Sequence, residues 1–255
     1  MSKERVYVAS DMHLAAGSSE RERTLCTWLR YAGERSGEIV LNGDVFDFWF
    51  EYGTVIPRGH TRLLGTLAEL VDGGVKVRMV GGNHDWWGGS FLTQEVGVTF
   101  HQEPVKVTLA GHRALLAHGD GLGAGDRGYR LLQAVIRHPA ASFLFRWLHP
   151  DVGAALARAV SRTEHREERP SPKQQARIQA LANWARTRLQ EDEDLDLVLL
   201  GHTHVPTLEE VRPGGYYVNS GDWLHHRSFV VLDPGAPPRL LRWREESAGV
   251  EEVVG

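Results

Sequence analysis

Five apolar runs in this chain each stop at a short polar motif, and that recurrence constrains the fold more than any other feature. Val6-Tyr7-Val8-Ala9 leads into Asp11-x-His13, and Glu38-Ile39-Val40-Leu41 leads into Gly43-Asp44-x-x-Asp47. Val75 to Val80 leads into Gly82-Asn83-His84-Asp85, Arg113 to Ala117 into His118-Gly119-Asp120, and Leu195 to Leu200 into Gly201-His202-Thr203-His204. Between the early runs, Arg21 to Tyr31 and Thr61 to Val71 have helical apolar spacing, and Gly73-Gly74 ends the second. Alternation of strand and helix predicts a largely parallel inner sheet with helices outside it. Ligands of such sheets bind beyond the C-terminal strand ends, where all five motifs lie.

The donors are carboxylate, amide and imidazole, a set that suits Mn, Fe, Mg or Zn. A lone Asp-x-His is usually a turn or a cap. Five such motifs in order, each after a strand, point instead to a shared metal centre. Cys26, the one cysteine among 255 residues, excludes an internal disulfide framework and any thiolate zinc site, and its place beside Leu25 and Leu29 predicts a core side chain. There is no apolar run of spanning length and no signal-peptide core at Met1 to Ser10, so the expected location is the cytosol. His60, His101, His112 and His138 lie outside the motifs and read as surface or turn residues.

The second half changes character. Val105 to Leu109 and Arg113 to Ala117 predict a hairpin. A segment follows over residues 121–190, helical over 127–190, with one stripe through Leu131, Leu132, Val135 and Ile136 and another through Phe143, Leu144, Trp147 and Leu148. This segment holds 12 Lys and Arg against 5 Asp and Glu, while the rest holds 17 against 28. A basic insertion in an acidic chain suggests a surface facing anions. The expected organisation is a core of residues 1–120 and 191–245, a helical insertion over 121–190, and a tail over 246–255.

The ordered set Asp11-x-His13, Gly43-Asp44-x-x-Asp47, Gly82-Asn83-His84-Asp85, His118-Gly119 and Gly201-His202-x-His204 resembles the calcineurin-like metallophosphoesterase superfamily, over essentially the whole chain. The resemblance implies an α/β fold, a four-layer α/β/β/α sandwich with a helical cap insertion and two divalent metal ions, with manganese the expected metal. It implies that Asp11, His13, Asp44 and His204 hold one metal, that Asp44, Asn83, His118 and His202 hold the other, and that His84 is the catalytic histidine. Two such ions about 3.5–4 Å apart can clamp a phosphoryl group for in-line attack. Asp85 is expected to orient His84.

Within the superfamily, the aromatic run Phe46 to Tyr52 and the segment Phe143 to Asp151 resemble the UDP-2,3-diacylglucosamine pyrophosphohydrolase family of lipid A synthesis. That resemblance implies a lipid-linked nucleotide sugar as substrate, contacted by Asn83, Asp126, Tyr129 and His202, at the cytoplasmic face of the inner membrane. Arg158, Arg162, His165 and Arg166 are further basic candidates. The chain departs from the best-known members at His84, where they carry Arg. No nucleic-acid partner is expected, because the basic surplus sits in an apolar-rich segment rather than along an open aromatic groove. The competing expectation is a soluble phosphoesterase for nucleotides or phosphoproteins.

Overall fold

The computed structural model describes residues 4–125, 127–160, 171–244 and 249–252. The candidates Asp126, Arg162, His165 and Arg166 lie outside the described residues, as does the side chain of Arg158.

Strand β1 (Val6–Ala9) is followed by α1 (Ser19–Arg35), β2 (Glu38–Asn42), α2 (Thr61–Asp72), β3 (Lys76–Val80) and β4 (Thr99–His101). A π-helical turn at Phe91–Glu95 precedes β4. β5 (Val105–Leu109) and β6 (His112–Leu116) form the expected hairpin. The helices α3 (Arg127–Ile136), α4 (Pro139–Arg146), α5 (Pro150–Val160) and α6 (Pro172–Glu191) come next. β7 (Leu197–Leu200), β8 (Thr207–Arg212), β9 (Gly215–Asn219), β10 (Ser228–Leu232), β11 (Arg239–Arg244) and β12 (Gly249–Glu252) complete the chain.

The strands form two sheets. One has the order β12-β11-β10-β1-β2-β3-β4, and the other β5-β6-β7-β9-β8. β1 to β4 run parallel, as strand-helix alternation requires, while β10 pairs antiparallel with β1. Strand residues alternate between faces, and the two faces of the first sheet feed different cores. Tyr7, Ile39, Leu41 and Met79 pack under Trp28, Leu29, Leu63 and Leu67 of α1 and α2. Val6, Val8, Val40 and Val80 face Leu116, Leu197, Leu199 and Val218 of the second sheet. The far side of that sheet is covered by Leu181, Ala182, Ala185 and Leu189 of α6. The layers are thus helix, sheet, sheet, helix, the α/β/β/α sandwich expected.

α6 begins with Ser171 accepting from the Gln174 amide while the Gln174 side chain accepts from the Ser171 amide. Its packing contrasts with α3, α4 and α5, whose stripes stay in solvent. Leu131 is 70% exposed and Trp147 78%, and Leu132, Val135, Phe143, Leu144, Val152 and Leu156 are also exposed. His60 and Cys26 are both buried, so the histidine is not the surface residue its position suggested, whereas the cysteine lies in the core as expected.

Candidate metal centre

The parallel strands place their C-terminal ends side by side, and the chain must turn sharply there. Asp11, His13, Asp44, His202 and His204 all adopt left-handed backbone, with φ of 57°, 45°, 52°, 67° and 63°. Such values are costly for residues with a Cβ and cluster at functional sites. Glycines admit the close approach. A Cβ on Gly82 would run into the Asp44 carboxylate and amide, and one on Gly43 into the His118 ring.

These turns gather three overlapping groups: Asp11 with His13 and His204, His13 with Asp44 and His84, and Asp44 with His118 and His202. His204 Nε2 lies 3.1 Å from Asp11 Oδ1, and His118 Nε2 3.1 Å from Asp44 Oδ2. His13 Nε2 lies 3.8 Å from Asp11 Oδ1 and 3.7 Å from Asp44 Oδ2. His13 and His204 turn their Nε2 atoms toward each other at 3.1 Å. Asn83 Oδ1 is buried and accepts no hydrogen bond among the described residues. A buried acceptor left without a donor, and imidazole nitrogens converging with carboxylates, fit divalent cations between them. Asp44 and His13 each belong to two of the groups, and of the pair the carboxylate has the two oxygens that a ligand shared by two ions needs.

The charges are mutually dependent. Burial alone would raise the Asp11 and Asp44 carboxyls, but the surrounding imidazoles hold both well below the usual carboxylate range. Burial likewise opposes a charge on His118, yet Asp44 and Asp11 hold its pKa well above the ordinary value. His202 has less compensation, and burial beside His118 lowers it to about 4.

Partners behind the donors fix their rings. His118 Nδ1 lies 3.0 Å from the Asn42 carbonyl, so Nε2 faces the site. His84 Nδ1 lies 2.7 Å from the Asp47 carbonyl, which turns its Nε2 toward Asp44 at 3.9 Å. The orienting group for His84 is therefore Asp47 and not Asp85. Asp85 is fully buried and accepts from the amides of Gly82, Asp44 and Val45 at 2.8, 3.2 and 2.7 Å. It ties one metal-bearing loop to the other, because backbone donors at a tight turn need an internal acceptor. Asp222, not anticipated from sequence, lies 3.3 Å from His204 Nδ1 and 3.2 Å from His226 Nδ1. Its place three residues past the end of β9 is the signal that could have found it.

Tyr129 is half-buried, and its hydroxyl donates to Asp120 Oδ2 at 3.3 Å. The aromatic run serves as a socket: Phe145 of α4 packs on Phe50 at 4.7 Å, Phe48 at 6.2 Å and Tyr52 at 6.3 Å between ring centres. A Cβ on Gly153 of α5 would strike the Tyr52 hydroxyl and Phe145. Trp87 lies against Phe50, extending the same wall.

With this geometry in hand, similarity to known proteins decides the family. The model of the calcineurin-like phosphoesterase family matches residues 4–206. The chain belongs to that family. It is a metal-dependent hydrolase of the phosphoesterase class. It is 32% identical over 248 residues to a UDP-2,3-diacylglucosamine hydrolase of Porphyromonas gingivalis, covering 91% of this chain and 95% of that one. A UDP-2,3-diacylglucosamine hydrolase of Ectopseudomonas mendocina is 27% identical, with 86% and 90% covered. Among solved structures, a dimetal phosphatase from Danio rerio aligns over 94% of this chain and 95% of its own, at 12% identity and a TM-score of 0.45.

Proposed function

We propose that this phosphoesterase hydrolyses the diphosphate of UDP-2,3-diacylglucosamine, releasing UMP and the diacylglucosamine 1-phosphate of lipid A synthesis. The observation that carries this reading is a buried Asp/His/Asn cluster lying beside helices that leave Leu131, Phe143, Leu144 and Trp147 in solvent. The first part suits a phosphoester and the second an acylated one. Similarity to the hydrolases of that name, over nearly the full length of both chains, supports the same substrate.

In this reading Asp11, His13, Asp44 and His204 hold one divalent ion and Asp44, Asn83, His118 and His202 the other, with manganese the expected metal. The ions supply positive charge for the phosphoryl oxygens and activate water at neutral pH. The chain's own contribution is placement. Asp44, fixed by its left-handed turn, keeps the two halves of the site together. His84, held through Nδ1 by the Asp47 carbonyl, directs Nε2 at the reacting region, where it stabilises the transition state or protonates the departing oxygen. Whereas α6 belongs to the sandwich itself, helices α3 to α5 act as a cap, with Tyr129 beside the sugar or nucleotide. Their apolar surface accommodates the acyl chains, and their basic surplus rests on the anionic cytoplasmic face of the inner membrane.

Incubation with UDP-2,3-diacylglucosamine and manganese, followed by product analysis, tests this. The expected products are UMP and the 1-phosphate. Cleavage of soluble nucleotides or phosphopeptides with no action on the lipid would overturn the substrate assignment while leaving the metal centre intact.

A further inference from the structure

Helix α3 is tied by polar contacts to the loop that carries His118. Along one side of α3 and the turn that directly follows it, at four-residue spacing, Tyr129, Gln133 and Arg137 all donate to Asp120 Oδ2, at 3.3, 2.5 and 2.7 Å. The opposite face carries exposed Leu131, Leu132 and Val135. Asp120 follows His118 by two residues, and its side chain is only 6% exposed. Arg137 extends the link: its guanidinium lies over the Trp86 ring, 5.0 Å from the centroid, three residues beyond Asn83. One cation thus bridges the His118 loop and the Asn83 loop, both of which carry ligands of the second metal in the proposed assignment.

We propose that Arg137 is a positioning residue that sets the helical cap in register with the metal-bearing loops, and so selects large, acylated phosphoesters over small ones. A planar guanidinium can donate to a carboxylate and stack on an indole at once, which an ammonium does less well. Asp120 accepts two neutral donors besides, so removing Arg137 leaves a shielded carboxylate without its counter-charge and frees α3 to shift. Displacement of a binding element by about 1 Å costs on the order of 100-fold in rate. The loss falls on substrates that touch the cap.

The proposal rests on the substrate reading above, and its test separates the two. Hydrogen exchange is compared for wild type, Arg137→Ala and Arg137→Lys, each loaded with manganese. Exchange at α3 should quicken in the alanine variant, stay at the wild-type rate in β1 to β3, and recover in part with lysine. For UDP-2,3-diacylglucosamine the alanine variant should raise KM by about tenfold or more, while hydrolysis of bis(4-nitrophenyl) phosphate changes less than twofold. Unchanged exchange at α3 overturns the proposal, as does an equal loss on both esters or no loss on either. If wild type ignores the lipid substrate, the substrate reading fails, and the exchange comparison still decides the role of Arg137.

Discussion

At the scale of single residues, the metal centre is built from positions that an ordinary chain avoids. Five of its donors sit in left-handed backbone, and glycines beside them admit side chains that a methyl group would displace. The account therefore predicts that Gly82→Ala pushes Asp44 out of place, so that manganese-dependent activity falls by about 100-fold while the far-ultraviolet circular dichroism is retained. Activity within twofold of wild type would contradict the close contact. His60 gives a second prediction. It is buried against Phe46, and burial lowers its pKa to about 4. The unfolded chain, with an imidazole near 6.5, takes up a proton that the folded chain refuses, so stability falls as pH drops from about 6.5 towards 4. The loss reaches as much as ~3 kcal/mol, and urea titrations of His60→Gln should show a flatter acid limb.

At the scale of elements, the strand-end motifs were legible because chemistry there demands rare residue types next to apolar runs. The donors Asp11, His13, Asp44, His118, His202 and His204 were found that way, and the structure brings them together. What lay behind them was not legible. Asp85 and Asp222 partner groups in distant loops, and sequence neighbourhood says nothing about which loops meet. The same holds for Asp120, which reads as part of a turn but gathers three donors from α3. The helical stripes show the limit of periodicity: α6 and α3 both carry apolar residues at helical spacing, yet only α6 buries them against a sheet. Exposure of Trp147 and Leu144 carries a prediction of its own. Replacing both with Gln should leave thermal stability within about 0.5 kcal/mol of wild type while weakening sedimentation with vesicles containing anionic lipid. Undiminished vesicle binding would count against this face as the membrane contact.

At the scale of the whole molecule, the parallel strands β1 to β3 with helices outside them followed from strand-helix alternation, whereas the four-layer order came only with the resemblance to the metallophosphoesterase superfamily. The pairing order β5-β6-β7-β9-β8 followed from neither, since strand neighbours depend on which faces share a core. Between the two sheets the core is aliphatic, and the polar donors are confined to one edge of the sandwich. That edge concentrates carboxylates and imidazoles whose charges offset one another only in part, so cations should stabilise the entire fold by binding the native state alone. Thermal scans should show the melting temperature rising with manganese and falling after chelation, and a melting temperature indifferent to both would argue against a structural tie between the centre and the fold. The most direct test of the account is the metal content of the purified chain after loading with manganese and desalting. Two ions per wild-type chain, and fewer than one in Asp44→Asn because the shared ligand is lost, is the predicted result. A wild-type chain that retains none, or an Asp44→Asn variant that still holds two, would contradict it.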